Sequence, residues 1–143
     1  MLFGNLSYHM GTNKFYTIFG LSTKINNVDT TWGATLGFGT LLRANKKFFF
    51  NIDLTSTQIN RNVLWERTTS TKNKLFVGLN YKLSKHWTIS AGPSLNVFVT
   101  ESYNSNLRNY ISDIVPLSIY DNSSGKSNYQ TWIGYSYGIK FTL

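Results

Sequence analysis

Few side chains in this chain could do chemistry. It has two histidines, His9 and His86, six acidic residues and no cysteine. Without cysteine it has no thiolate nucleophile, no thiolate metal ligand and no disulfide. A hydrolytic site needs a hydroxyl nucleophile beside a base that is oriented by a carboxylate. His86 lies near Ser84 and Ser90, but the residue two positions after it is Thr88, and no acidic residue is close in sequence. We therefore read His86 as a turn residue and assign no catalytic, cofactor-binding or metal-binding residue. Gly33, Gly37 and Gly39 sit inside a strand pattern and precede no helix, so they do not form a phosphate loop. The stronger candidates form a polar set. Asn51, Asp53, Asn80, Lys82 and Lys140 all fall on the less apolar side of their segments. A carboxylate withdrawn from water needs a partner, which Lys82, Lys140, Lys24 or the two amides can supply. The plain reading is a structural plug of polar contacts; the sharper one is a conduction or proton path.

The elements that must hold these residues are strands. The clearest is the terminal stretch Tyr129–Leu143. There Tyr129, Thr131, Ile133, Tyr135, Tyr137, Ile139, Phe141 and Leu143 alternate with Gln130, Trp132, Gly134, Ser136, Gly138, Lys140 and Thr142. Only a strand uses a period of two in this way. Six earlier segments show the same alternation, over Leu2–Met10, Lys14–Ile25, Thr31–Leu42, Phe48–Gln58, Lys74–Leu83 and Trp87–Thr100. Pro93 cannot donate to a ladder, so a bulge or local break is expected at Gly92–Pro93.

Asn60–Asn73 and Glu101–Asn128 read as long polar connections, the second with room for a short extra element over Ile111–Tyr120, whereas the connections after the third and fifth strands are hairpin-short. Alternating short and long connections are what outer-membrane barrels show, with short turns at the periplasm. On that pattern the last strand runs inward, and so does the first. Such barrels usually have an even number of strands. Seven recognised strands therefore predict an eighth, either outside the numbered chain or hidden in Glu101–Asn128.

Composition agrees with an unusual surface. Charged residues are 14% of the chain and aromatic residues 16%, against roughly 25% charged in average soluble domains. No apolar run reaches the ~18 residues of a membrane helix, but a barrel escapes that search because only every second residue faces lipid. Met1–Asn5 lacks the basic start and apolar stretch of a leader, so the numbering is expected to begin after a removed leader or within a longer product. The side opposite the apolar one is rich in Gly, Ser, Thr and Asn and poor in Lys and Glu, which suits a packed polar lumen better than a watery surface. A ten-residue strand rises about 33 Å and, tilted, spans about 23 Å, close to the apolar band of such barrels. Trp32, Phe48, Tyr81, Trp87 and Tyr129 lie near strand ends, where rings meet headgroups. The net charge of +8 is divided between turns at opposite ends, Arg43, Lys46, Lys47, Lys85 and His86 at one and Arg61, Arg67, Lys72, Arg108 and Lys126 at the other. That division argues against nucleic acid.

The terminal YSYGIKFTL and the hairpin GLNYKLSKHWTISAGPSLNV resemble small porin-like outer-membrane β-barrel proteins of Gram-negative bacteria, and the Asn, Lys, Ser and Tyr usage looks like that of Bacteroidota. The resemblance implies an all-β, antiparallel, up-and-down transmembrane barrel of about eight strands, forming one domain over residues 1–143. It implies location in the bacterial outer membrane among lipid and lipopolysaccharide. It also implies an assembly signal at Tyr137, Ile139, Phe141 and Leu143 read by the barrel-assembly machinery, although the family's signal usually ends in Phe. The expected role is structural, docking or small-pore, without catalysis and without cofactor, and membership of a larger membrane complex follows if a strand is missing. The alternatives are a lipid-modifying barrel enzyme and a soluble lipocalin-like barrel that carries an apolar ligand.

Overall fold

The computed structural model describes residues 2–12, 14–25, 30–61, 70–100, 117–122 and 128–141. All the regular structure is strand: β1 (Leu2–Gly11), β2 (Phe15–Ile25), β3 (Thr30–Arg43), β4 (Phe48–Arg61), β5 (Ser70–Lys82), β6 (Trp87–Thr100), β7 (Leu117–Asn122) and β8 (Asn128–Phe141). They form one sheet in the order β1-β2-β3-β4-β5-β6-β8-β7, antiparallel throughout. Seven long strands make an up-and-down meander, and the short β7 lies against the far edge of β8.

One expectation needs correction and another is made specific. The sheet is not closed into a barrel among the described residues, because no ladder joins β1 to β7 or β8. The strand within Glu101–Asn128 exists, but it does not sit between its sequence neighbours. β6 and β8 pair along their whole lengths, from Trp87↔Phe141 to Thr100↔Asn128, which leaves β7 only the outer edge of β8, over Tyr129–Ile133. β4 and β5 also extend beyond the expected Phe48–Gln58 and Lys74–Leu83, into what was read as loop. Their polar ends still alternate, and hydroxyls from neighbouring strands pair across the face: Thr35 with Thr57 at 2.8 Å and Ser70 with Thr100 at 2.9 Å. A hydroxyl ladder of this kind stabilises a strand without apolar residues.

Three tight turns share one end of the sheet and one construction. At Thr12, Asn45 and Ser84 a side-chain oxygen accepts two backbone N–H groups, from Lys14 and Phe15, from Lys47 and Phe48, and from His86 and Trp87. In each, the backbone N–H of the accepting residue donates to the carbonyl of the aromatic three positions on. The stretches are TNKF, NKKF and SKHW. In all three a short polar side chain replaces ladder partners at the bend, then a cationic or histidine residue leads into an aromatic that opens the next strand.

The expected disturbance at Gly92–Pro93 is a break, not a bulge. The β5–β6 ladder runs to Phe76↔Ser94 and resumes at Leu79↔Ala91 with its register unchanged. The backbones close in on Gly92, where a Cβ would strike the carbonyl of Val77 and lie 2.9 Å from the Gly78 Cα. Backbone atoms cannot swing aside as a side-chain tip can. Gly92→Ala is therefore expected to cost about 2 kcal/mol, read as a lower urea midpoint for the protein folded in micelles.

Candidate functional site

The two faces are inverted relative to a water-soluble protein. Leu36, Phe38, Phe50, Leu54, Leu75, Val77, Leu79, Ile89 and Leu95 are exposed. Thr35, Asn51, Asp53, Asn80, Ser90, Ser94 and Asn96 are buried. The alternation that makes a strand thus places the apolar residues outward and collects the polar ones on an inner face around which the sheet curls. Only a few large apolar side chains join them there, among them Tyr16, Ile18, Phe76, Phe98 and Trp132.

The inner face is built around Asp53. Its carboxylate accepts a hydrogen bond from the Tyr16 hydroxyl and another from Asn51 Nδ2 at 2.5 Å. Asn80 Nδ2 donates to Asn51 Oδ1 at 2.6 Å, which extends the chain of bonds from β2 through β4 to β5. Asn51 and Asn80 are fully buried, and Asn80 Oδ1 has no donor among the described residues. Gly39 makes room for this group: a Cβ there would meet the Asp53 carboxylate and the Tyr16 ring, 2.6 Å from Tyr16 Cζ. His9 of β1 stacks on the other side of Tyr16, with centroids 5.0 Å apart.

Three of the predicted lumen residues, Asn51, Asp53 and Asn80, therefore meet directly. Lys140 is half-buried on the same face, within Coulombic reach of Asp53. Lys82 does not join the group. It has inner-face parity, but it is the last residue of β5 and lies exposed beside the turn, one residue past the last β4–β5 pair, Phe48↔Tyr81. The Lys24 side chain lies outside the described residues. Tyr16 was not singled out from sequence, because an aromatic on the less apolar side of a weakly patterned strand looks like any other tyrosine.

Two more lysines stand on the inner face. Lys72, a loop cation by its sequence neighbourhood, sits on the inner face of β5 with its ammonium 5.5 Å from the Trp132 ring centroid. Lys74, two residues on, donates to the Ser136 hydroxyl at 2.7 Å and lies over Phe76 at 5.1 Å. Lys72 was hidden by the polar start of β5, which resembles a loop by composition, whereas Lys74 opens the expected fifth strand but carries no assigned role there. Asp53 also attracts Lys74.

The serines near His86 in sequence have other surroundings among the described residues. The His86 ring stacks on Phe141 with centroids 5.9 Å apart. The Ser84 hydroxyl is engaged with the turn amides, and Ser90 is buried on the inner face. Among the described residues no group of three or more His, Cys, Asp or Glu could hold a metal ion. Of the expected assembly-signal residues, Tyr137, Ile139 and Phe141 lie exposed on the outer face of β8, and Leu143 lies outside the described residues. No family model, no curated protein and no solved structure matches this chain.

Proposed function

We propose that this sheet is the greater part of an outer-membrane β-barrel of a Gram-negative bacterium, with a structural, docking or small-pore role and no catalytic step. The inversion of its faces carries the reading. A lipocalin-like carrier keeps its apolar residues inside, whereas here the exposed outer face is Leu, Phe, Ile, Val and Tyr and the buried one is Asn, Ser, Thr, Gly and Asp. Lipid is the solvent in which that arrangement is favourable. The tight turns then face the periplasm, the longer connections face lipopolysaccharide, and Tyr137, Ile139 and Phe141 with Leu143 are presented to the assembly machinery. The protein is expected to refold only with detergent or vesicles present, to shift in mobility on heating before electrophoresis, and to stay with vesicles through an alkaline wash. A folded, monodisperse protein in plain buffer would overturn the proposal.

The open seam adds a statement about assembly. β1 and β8 are the first and seventh strands of the meander, so they run in the same direction and cannot pair antiparallel with each other. One strand running the opposite way would close the sheet at the even count such barrels favour. β7 already runs that way and covers Tyr129 and Ile133, whose exposures of 45% and 39% match those of the inner strands. Just past it, Tyr135, Tyr137 and Ile139 rise to 80%, 91% and 71%, and Leu6 on β1 stands at 79%. The vacancy thus lies along β1 and along Gly134–Phe141, and a strand from outside the described set fills it, since unpaired backbone groups cannot face lipid. In micelles, amides on these two edges are expected to exchange about ten-fold faster than those of β4 and β5. Equal protection across all strands would mean that the edges are already joined and would remove the seam.

A further inference from the structure

The tight-turn end of the sheet carries charge of one sign. Lys14, Arg43, Lys46, Lys47, Lys82 and Lys85 are all exposed there, and no acidic side chain accompanies them among the described residues. Of the six acids, Asp53 is buried on the inner face. Asp29, Glu66, Glu101, Asp113 and Asp121 fall, in sequence, in or beside the connections of the other end. The cations are held in a repeated frame. Each of the three turns fixes a cation or histidine directly before an aromatic, through the same pair of N–H bonds to Thr12, Asn45 or Ser84.

Directly inboard of the cations lies a girdle of rings on the outer face. Phe48 and Tyr81 are 4.8 Å apart, Trp87 and Phe141 meet edge to face at 5.0 Å, and Phe15 stands exposed where β2 opens. Beyond the girdle comes the exposed aliphatic band. Cation, ring and aliphatic side chain therefore succeed one another in the order in which phosphate, glycerol and acyl chain succeed one another across a leaflet. A merely solvated end explains exposed lysines. It does not explain why no described acidic side chain stands at this end, or why aromatic rings lie beneath the cations.

We propose that the tight-turn rim is a binding surface for the headgroups of anionic glycerophospholipids, which enrich around Lys46, Lys47 and Lys85 and contact the girdle at Trp87. The proposal deepens the membrane reading and depends on it. Anionic headgroups near a polybasic rim gain Coulombic energy that salt weakens.

The test uses the full chain reconstituted in phosphatidylcholine bilayers that carry either brominated phosphatidylglycerol or brominated phosphatidylcholine. The emission lost in the wild type but not in Trp87→Phe reports bromine beside Trp87. Phosphatidylglycerol is expected to quench this component at least about two-fold more per bromolipid at low salt, with the excess shrinking as the Debye length falls. The excess should disappear in Lys46→Glu/Lys47→Glu/Lys85→Glu and fall part-way in the matching glutamine triple, since all three residues are exposed in turns whose bonds come from backbone amides. Equal quenching by the two lipids, or an excess that survives the triple substitution, would overturn the rim site. So would an excess erased by inorganic phosphate but not by chloride at the same ionic strength, because the site would then be one for free phosphate. Quenching by neither lipid would instead sink the membrane reading itself.

Discussion

Asp53→Ala is expected to be among the most damaging single substitutions in this chain, lowering stability in micelles by about 3 kcal/mol. The carboxylate joins three strands: it accepts from Tyr16 on β2 and from Asn51 on β4, which in turn accepts from Asn80 on β5. Removing it leaves a buried phenol and a buried amide with nothing to donate to, and takes away the negative charge that attracts Lys74 and Lys140. Desolvated donors without acceptors cost more than the bonds themselves contribute. Asp53→Asn keeps an acceptor and most of the volume, so about 1 kcal/mol is expected there. In the double variant Asp53→Ala/Tyr16→Phe the orphaned hydroxyl is gone, and the loss should fall short of the sum of the single losses. Urea titration of the four proteins decides the matter. Additive losses would mean that Tyr16 and Asp53 do not act as a unit.

Leu75→Arg carries the second large effect, and its sign separates the two environments for the outer face. Leu75 stands in an apolar row across the sheet, paired with Leu54 on β4 and Leu95 on β6, and the row continues to Phe38 on β3 and Ile133 on β8. This row lies near mid-height, away from both ends of the strands. If hydrocarbon covers it, an arginine there costs about 2–4 kcal/mol, falling toward zero at the interfaces. If water covers it, an exposed leucine changed to arginine alters stability by no more than about 0.5 kcal/mol. Unfolding from vesicles should therefore be markedly easier for Leu75→Arg, while Trp87→Arg, at the rim, should cost much less. Equal, small effects at the two depths would remove lipid from the outer face.

The depth dependence also bears on the rim. Trp87 and Phe141 lie where the apolar band gives way to the cations of the turns. A polar replacement at that level exchanges one interfacial group for another, whereas in the Leu54–Leu75–Leu95 row it has no polar neighbour to approach. Rim and row are therefore distinguishable by substitution, although both belong to one continuous exposed face.

Much of this architecture was legible in the residues alone. Alternation with a period of two is a local property, so the seven long strands, the partition of each into two sides, and the tight turns after Gly11, Arg43 and Lys82 could be read directly. The same parity placed Asn51, Asp53 and Asn80 on one side. The lengths of β4 and β5 were less legible, because Thr, Ser, Gln and Asn make good strand ends only when a neighbouring strand offers a hydroxyl or a ladder partner, as Thr57 finds in Thr35 and Ser70 in Thr100. For the same reason Lys72 looked like a loop cation.

Tertiary structure alone decided the rest. Parity says that a residue faces inward, not how far along the curl it is covered, so it could not separate buried Asp53 from exposed Lys82 at the mouth of a turn. Nor could it bring Tyr16 to Asp53, which depends on the registers of β2 on β3 and β3 on β4 together. The position of β7 was beyond it as well, since a short strand can pair with either edge of its neighbour and only competition with the full-length β6 excludes one of them. Sequence patterning thus determined which residues could share a face, because alternation acts within a strand. Which of them meet, and where the sheet stays open, depended on register and curvature, which exist only between strands.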